Sequence, residues 1–193
     1  MYDPRIWHSR GYIPHIDPGE ITQFITFRLA DSMPQNVLAA WKEDLKNGEI
    51  TDAGLRKRIE TYLDQTYGER WLSDGRTATL VQNSILYLDS KKYRLIAWVI
   101  MPNHVHILIQ TLAGYSVSEI IHSLKSYTSH EANKMLIREG HFWFKEYFDR
   151  YIRNGEHFRA VVRYIEENPV KARLCEKPED WKFSSAYFRK SAK

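Results

Sequence analysis

Between Tyr93 and Gln110 the chain carries two apolar runs separated only by Pro102-Asn103, and that arrangement restricts the fold more than any other feature. Tyr93 to Met101, with Leu95, Ile96, Ala97, Trp98, Val99 and Ile100 in succession, is far too short to span a bilayer and reads as a buried central strand. Pro102-Asn103 is turn chemistry, so the run His104 to Gln110 is expected to return antiparallel to the first. Successive strand side chains point to opposite faces. His104 and His106 therefore project together, while Val105, Ile107 and Ile109 project to the opposite, core-facing side.

The rest of the chain supplies a sheet around this hairpin. Thr22 to Arg28 is a β-branched and aromatic run and reads as the first strand. Three helices follow: one over 36–46 after Pro34, with Val37, Leu38, Trp41 and Leu45 on one face; one over about 52–67, ending at Gly68; and one starting near Thr77, with Ala78, Val81, Ile85 and Leu88 at helical spacing. Gly114 precedes a long helix over about 116–138, whose Val117, Ile121, Leu124, Thr128, Ala132 and Met135 form a packing stripe. Residues 142–153 read as a loop and an edge strand. A last helix is expected over 156–167, with Phe158, Val161, Val162 and Ile165 inward and Pro169 preventing its continuation. The class is α+β around an antiparallel sheet, one domain over 1–193 with a helical insertion at about 35–90.

Composition narrows the setting. Cys175 is the single cysteine, so no intramolecular disulfide can form, which suits a reducing cytoplasm. Met1 to Arg5 lack the basic and apolar regions of a signal peptide, and no apolar run reaches membrane-spanning length. Residues 138–193 hold 13 of the 28 Lys and Arg but only 9 of the 24 Asp and Glu, so the whole formal charge of +4 lies in that end of the chain. A polyanion would be drawn there. Aromatics make up 13% of the residues, and stacking on bases is one use for them.

The chemistry-bearing residues are few. Two imidazoles on one strand face can bind one metal ion, with a third ligand from elsewhere. On the long helix, Tyr127 and Glu131 lie one turn apart and project together. If that helix faces the histidine side of the sheet, two imidazoles, a carboxylate and a phenol meet; otherwise Tyr127 is a partly buried packing residue.

Five segments occur in register: Val99-Ile100-Met101-Pro102-Asn103-His104-Val105-His106, Lys125-Ser126-Tyr127-Thr128, Tyr147-Phe148-Asp149-Arg150-Tyr151-Ile152-Arg153, Tyr164-Ile165-Glu166-Glu167-Asn168-Pro169-Val170-Lys171-Ala172 and Pro178-Glu179-Asp180-Trp181-Lys182-Phe183-Ser184-Ser185. Together they resemble the REP-associated tyrosine transposases, relatives of the single-tyrosine HUH transposases of the IS200-like superfamily, over about Gly11 to Ala186. The resemblance implies a ferredoxin-like or RRM-like antiparallel sheet with helices on one face. It also implies that His104 and His106 are metal ligands and Tyr127 is the nucleophile. The third ligand is expected about one turn past the tyrosine, where Glu131 stands with His130 and Asn133 close by. Relatives continue the Asn-Pro-Val-x-Ala segment with Gly, whereas this chain has Arg173; a left-handed backbone there would cost about 1 kcal/mol.

The function implied is a metal-dependent endonuclease and strand transferase (transposase) acting on single-stranded DNA beside hairpins. Mg²⁺ or Mn²⁺ stabilises the phosphorane-like transition state, and a 5′-phosphotyrosine link conserves the ester for rejoining. The partner is single-stranded DNA or a DNA hairpin, with no membrane, and the chain acts as a monomer or homodimer, cytoplasmic and nucleoid-associated. DNA contacts are assigned to Lys145, Arg150 and Arg153, which flank Phe142, Trp143, Phe144, Tyr147 and Tyr151, and to Lys125 beside Tyr127. The alternatives are a host-recruited hairpin-binding protein with little transposition activity, or a metal phosphodiesterase using water.

Overall fold

The computed structural model describes residues 7–9, 14–16, 21–65 and 67–191; Met1–Arg5, read above for a targeting signal, and Gly11, where the resemblance begins, lie outside them. Strands β1 (Trp7–Ser9) and β2 (Pro14–Ile16) pair antiparallel in a ribbon of their own. The main sheet holds β3 (Thr22–Arg28), β4 (Tyr93–Ile100), β5 (His104–Thr111) and β6 (Phe148–Tyr151) in the order β4-β5-β3-β6, antiparallel throughout. Between β3 and β4 lie helices α1 (Gln35–Lys46), α2 (Asp52–Asp64) and α3 (Gly75–Leu88), and between β5 and β6 lies α4 (Val117–Leu136). This is the β-α-β-β-α-β succession of a ferredoxin-like sheet, enlarged before β4.

Strand alternation sorts the side chains into two layers. Ile25, Phe27, Trp98, Ile100, Val105, Ile107 and Ile109 pack under α3 and α4 with Val81, Ile85, Ile120, Ile121 and Leu124. On the other face, Phe24, Ala97, Val99, Met101 and Leu108 pack against α5 (Gly155–Lys171) through Val161 and Ile165. The sheet is thus covered on both faces, and the expectation of helices on one face holds for α3 and α4 only. A smaller core of Met33, Leu38, Leu55, Ile59, Leu63 and Phe148 joins α1 and α2 to the β6 edge.

Helix ends follow local chemistry. Ser116 and Glu119 form a reciprocal capping box that starts α4, Asn154 accepts from the His157 N–H to start α5, and Thr51 accepts from the Gly54 N–H to start α2. Pro169 does not stop α5 as expected. It sits inside the last turn, where one lost hydrogen bond is tolerated, and the helix runs on to Lys171. The Arg173 N–H then donates to Val170 O and the Leu174 N–H to Pro169 O, a Schellman closure that requires a left-handed residue. Arg173 fills that place at φ 57°, the strained position anticipated from the sequence.

The short final helix α6 (Ser185–Ser191) is held to α5 by Glu166, which accepts from Ser185 Oγ and pairs with Arg189.

Candidate metal and nucleophile site

His104 and His106 stand on the α5 side of β5, and neither has any solvent exposure. Their cross-strand neighbours on β3 are Arg28 and Thr26. Each ring is fixed from behind. Asn103 donates through Nδ2 to Tyr67 O (2.9 Å), so its Oδ1 faces His104 and accepts from Nδ1–H at 2.7 Å. That assigns His104 the tautomer with a bare Nε2. His106 Nδ1 lies 2.7 Å from Thr26 Oγ1, and the two Nε2 atoms face each other at 3.0 Å. Burial holds the His104 imidazole down to about 3, and burial followed by the neighbouring ring holds His106 well below its ordinary value. Both rings are neutral at physiological pH, the form that ligates metals.

Two further elements reach this spot. Asp64, at the last turn of α2, brings a carboxylate oxygen to 3.8 Å from His104 Nε2. From α5, Tyr164 packs its ring edge-on against His106 at 5.3 Å, and its hydroxyl lies 3.4 Å from both Asp64 oxygens. One turn on, Asn168 Nδ2 donates to Asp64 Oδ1 at 3.1 Å. Burial raises the Asp64 carboxyl, against the lowering effect of the hydrogen bonds from Asn168 and Tyr164. The Tyr164 phenol is pushed far up, first by burial and then by Asp64 and Glu60.

These residues fit a divalent cation. Among the described residues Asp64, His104 and His106 offer ligand atoms within 4.8 Å of one another. Asn168 is fully buried, and its Oδ1 has no hydrogen-bond partner while the Nδ2 of the same amide sits on Asp64. An orphaned acceptor costs free energy where it stands, and cation binding would relieve it. Imidazole plus hard oxygen donors suit Mn²⁺ better than Ca²⁺.

The other residues singled out from the sequence lie elsewhere. α4 covers the Val105–Ile107–Ile109 side, so the sheet stands between Tyr127 and the histidines. Tyr127 is 56% exposed and lines a groove with Leu80, Tyr87 and Met135. Glu131 lies 3.7 Å from the exposed imidazole of His130, on the same helix. Neither is brought to the histidine pair, because the apolar stripe of α4 seats the helix on the opposite face. Lys125 is drawn inward, donating to Phe144 O (2.6 Å) and Lys145 O (2.7 Å), and burial lowers its ammonium to about 8. It pins a loop instead of reaching outward. Lys145 is exposed beside that loop, whereas Arg150 and Arg153 line a cleft at the β6 edge. Trp143 and Phe148 are core residues.

Sequence reasoning passed over Tyr164, Asn168 and Asp64, although a signal existed for the first two. Asn168 continues the Val161–Ile165 stripe of α5 by one step, so a polar amide sits on an apolar face, and Tyr164 is one turn before it. Asp64 had no such mark: it follows Leu63 at a helix end and reads as a solvated carboxylate.

The family model for IS200-like transposases matches residues 67–168. The REP-associated tyrosine transposase of Escherichia coli (strain K12) is 29% identical over 96 residues, 49% of this chain and 55% of that protein, so the chain spans about half the length of the curated relative. A solved structure of a REP-associated tyrosine transposase bound to a REP hairpin superposes with a TM-score of 0.61 at 20% identity, over 96% of this chain and 85% of the other. The matched segment starts just after Asp64 and ends on Asn168.

Proposed function

Because the chain belongs to the IS200-like transposase family, we propose that it cuts and rejoins single-stranded DNA beside hairpins, with Tyr164 as the nucleophile. The observation that supports this choice is the placement of the Tyr164 hydroxyl on Asp64 and its ring on His106, while Tyr127 lies across the sheet. His104 and His106 would hold a divalent cation together with Asp64 and the Oδ1 of Asn168. Bound there, Mn²⁺ or Mg²⁺ would polarise a non-bridging phosphate oxygen and oppose the burial and the Asp64 and Glu60 charges that hold the Tyr164 phenol up.

The protein groups carry the remaining steps. Tyr164 Oη attacks phosphorus as its proton passes to Asp64, whose carboxyl is already raised by burial. The new O–P bond forms as the bond to the 3′-oxygen breaks, and that oxygen takes a proton from solvent. The products are a 5′-phosphotyrosine and a free 3′-OH, which can reverse the step without an added energy source. Asn103 and Thr26 keep the imidazoles oriented throughout.

The test is a denaturing gel of end-labelled single-stranded DNA from the gene's own flanks, incubated with Mn²⁺ or EDTA. The wild type and Tyr127→Phe should both give a shifted covalent band that EDTA removes, and Tyr164→Phe should give none. Loss of the band in Tyr127→Phe alone would return the nucleophile to α4. Cutting that survives in Tyr164→Phe without an adduct would mean water is the nucleophile. Tight hairpin binding with neither cutting nor adduct would leave a recruited, non-catalytic binder.

A further inference from the structure

Beside the histidine pair, α2 and the β6 edge enclose a cleft of about 560 Å³, the size of a pocket that takes a drug-sized ligand. One wall is α2, through Arg56, Lys57 and Glu60; the other is the β6 end, through Arg150, Tyr151 and Arg153. Phe24 is common to the cleft and the site, since it stacks on His106 at 5.3 Å and meets Tyr164 edge-on at 5.8 Å. Glu60 is also one helical turn before Asp64. The cleft and the site therefore adjoin, with Phe24 as the residue common to both.

Its charge is one-sided. Four cations line it against two carboxylates, Glu60 and Asp149. Asp149 is buried and accepts from Gln23 Nε2, and burial pushes the Glu60 carboxyl up against the opposing charges of Arg150 and Arg56, which leaves two of the four cations in excess. Among the described residues none of the four cations forms a salt bridge. Arg58, on the far side of α2, is paired with Asp44. The Arg150 guanidinium lies 5.6 Å from the Phe24 ring, and its buried Nε has no hydrogen-bond partner. Nearby His157 is held below its ordinary value, first by burial and then by Arg150 and Arg153. Tyr151, 37% exposed, adds an accessible ring.

We propose that this cleft is the entry path for one strand of DNA: Arg56, Lys57, Arg150 and Arg153 neutralise phosphates, Tyr151 stacks a base, and the backbone passes over Phe24 to the histidines. The assignment rests on the function proposed above and gives the α1–α2 insertion a purpose, as the wall of a strand channel. Cations interleaved with an aromatic face are what a single strand requires. An anionic backbone contacting Z cations gives a binding constant whose logarithm falls with log salt by about 0.7 per contact for single strands.

The experiment is fluorescence anisotropy of a labelled single-stranded oligonucleotide, about 15 nucleotides long, titrated with the full chain over a series of NaCl concentrations. Arg56→Ala/Lys57→Ala should make the salt slope shallower by about 1.4, and Arg153→Ala, which lies off α2, by about 0.7. Arg58→Ala should keep the wild-type slope. Slopes unchanged in both cleft variants would overturn the proposal, whatever the thermal stability of the double variant. An equal loss on a blunt duplex would overturn the single-strand assignment and give the cleft to duplex DNA. Tyr164→Phe should bind with the wild-type slope. A wild type that forms no adduct while the cleft variants show their losses would sink the nuclease reading and leave the channel standing. Normal adduct formation with unchanged slopes would do the reverse.

Discussion

Asn103 is fully buried and uses both ends of its amide, one on the backbone of Tyr67 and one on His104. Because the amide donor is spent on Tyr67 and only its acceptor faces His104, the ring proton stays on Nδ1 and the lone pair of Nε2 points toward Asp64 and His106. A group that fixes the tautomer of a ligating histidine commonly accounts for 10- to 100-fold in metal affinity. Asn103→Ala should therefore weaken Mn²⁺ binding by about that factor, read by electron paramagnetic resonance titration. In the metal-free protein the ¹⁵N shifts of His104 should move from a single tautomer toward a mixture. Unchanged affinity with an unchanged tautomer would show that burial alone orients the ring. Tyr164 and Asn168 depend on the same precision: their spacing on α5 is what places a hydroxyl and an amide on one carboxylate.

Helix α4 shows how one element can carry a conspicuous residue to the face opposite the candidate site. Its buried residues Val117, Ile121, Leu124, Thr128 and Ala132 follow the stripe read from the sequence, and Met135 alone falls outside it at 39% exposure. Lys125 is half turned under the 144–145 loop, where burial lowers its ammonium, Glu146 partly restores it and Arg28 lowers it again. The folded value of about 8 lies below the ordinary value of 10.5, so between these two pH values the unfolded chain binds the proton that the folded chain has lost. Stability from this group is therefore lowest below about pH 8 and rises toward pH 10.5, by about 3 kcal/mol in all. Urea denaturation of wild type and Lys125→Met at about pH 7.5 and about pH 10 should show the wild type gaining on the variant at the higher pH. A constant difference would mean that the ammonium stays charged in the fold. α5 makes the complementary point: Pro169 within its last turn leaves Asn168 helical, in line with Tyr164.

At the scale of the whole molecule, one face of the sheet is a packing face and the other holds the candidate site. α3 and α4 bury the first; α5 and the end of α2 enclose the second. No helix among the described residues is long and apolar enough to cross a membrane. Since the candidate ligand atoms of the proposed site come from β5, α2 and α5, metal binding should stabilise the fold as a whole. Mn²⁺ at a hundred times its dissociation constant should add about 2.7 kcal/mol, seen as a rise in Tm that His104→Ala/His106→Ala abolishes. An equal rise in that variant would place the ion elsewhere. The sequence by itself determined the strands of the main sheet, the shared face of His104 and His106, and the buried stripes of α3, α4 and α5, because these depend on periods of two and 3.6 residues between near neighbours. It did not show β1 and β2, and the run over Tyr93–Ile100, expected as a central strand, stands at the sheet's edge, because strand order is not a property of near neighbours. The family resemblance marked Arg173 as a strained position, which its φ of 57° bears out. Only the tertiary structure decided which side of the sheet each helix covers. A stripe records that a helix is buried, not against which face; the side of α3 and α4 is set by the hand of the crossovers that carry the chain from β3 to β4 and from β5 to β6, and α5, after the last strand, covers the face they leave open. That geometry put Tyr127 behind the sheet, Tyr164 in front of it, and the α2 carboxylate of Asp64, 40 residues before His104, beside both histidines.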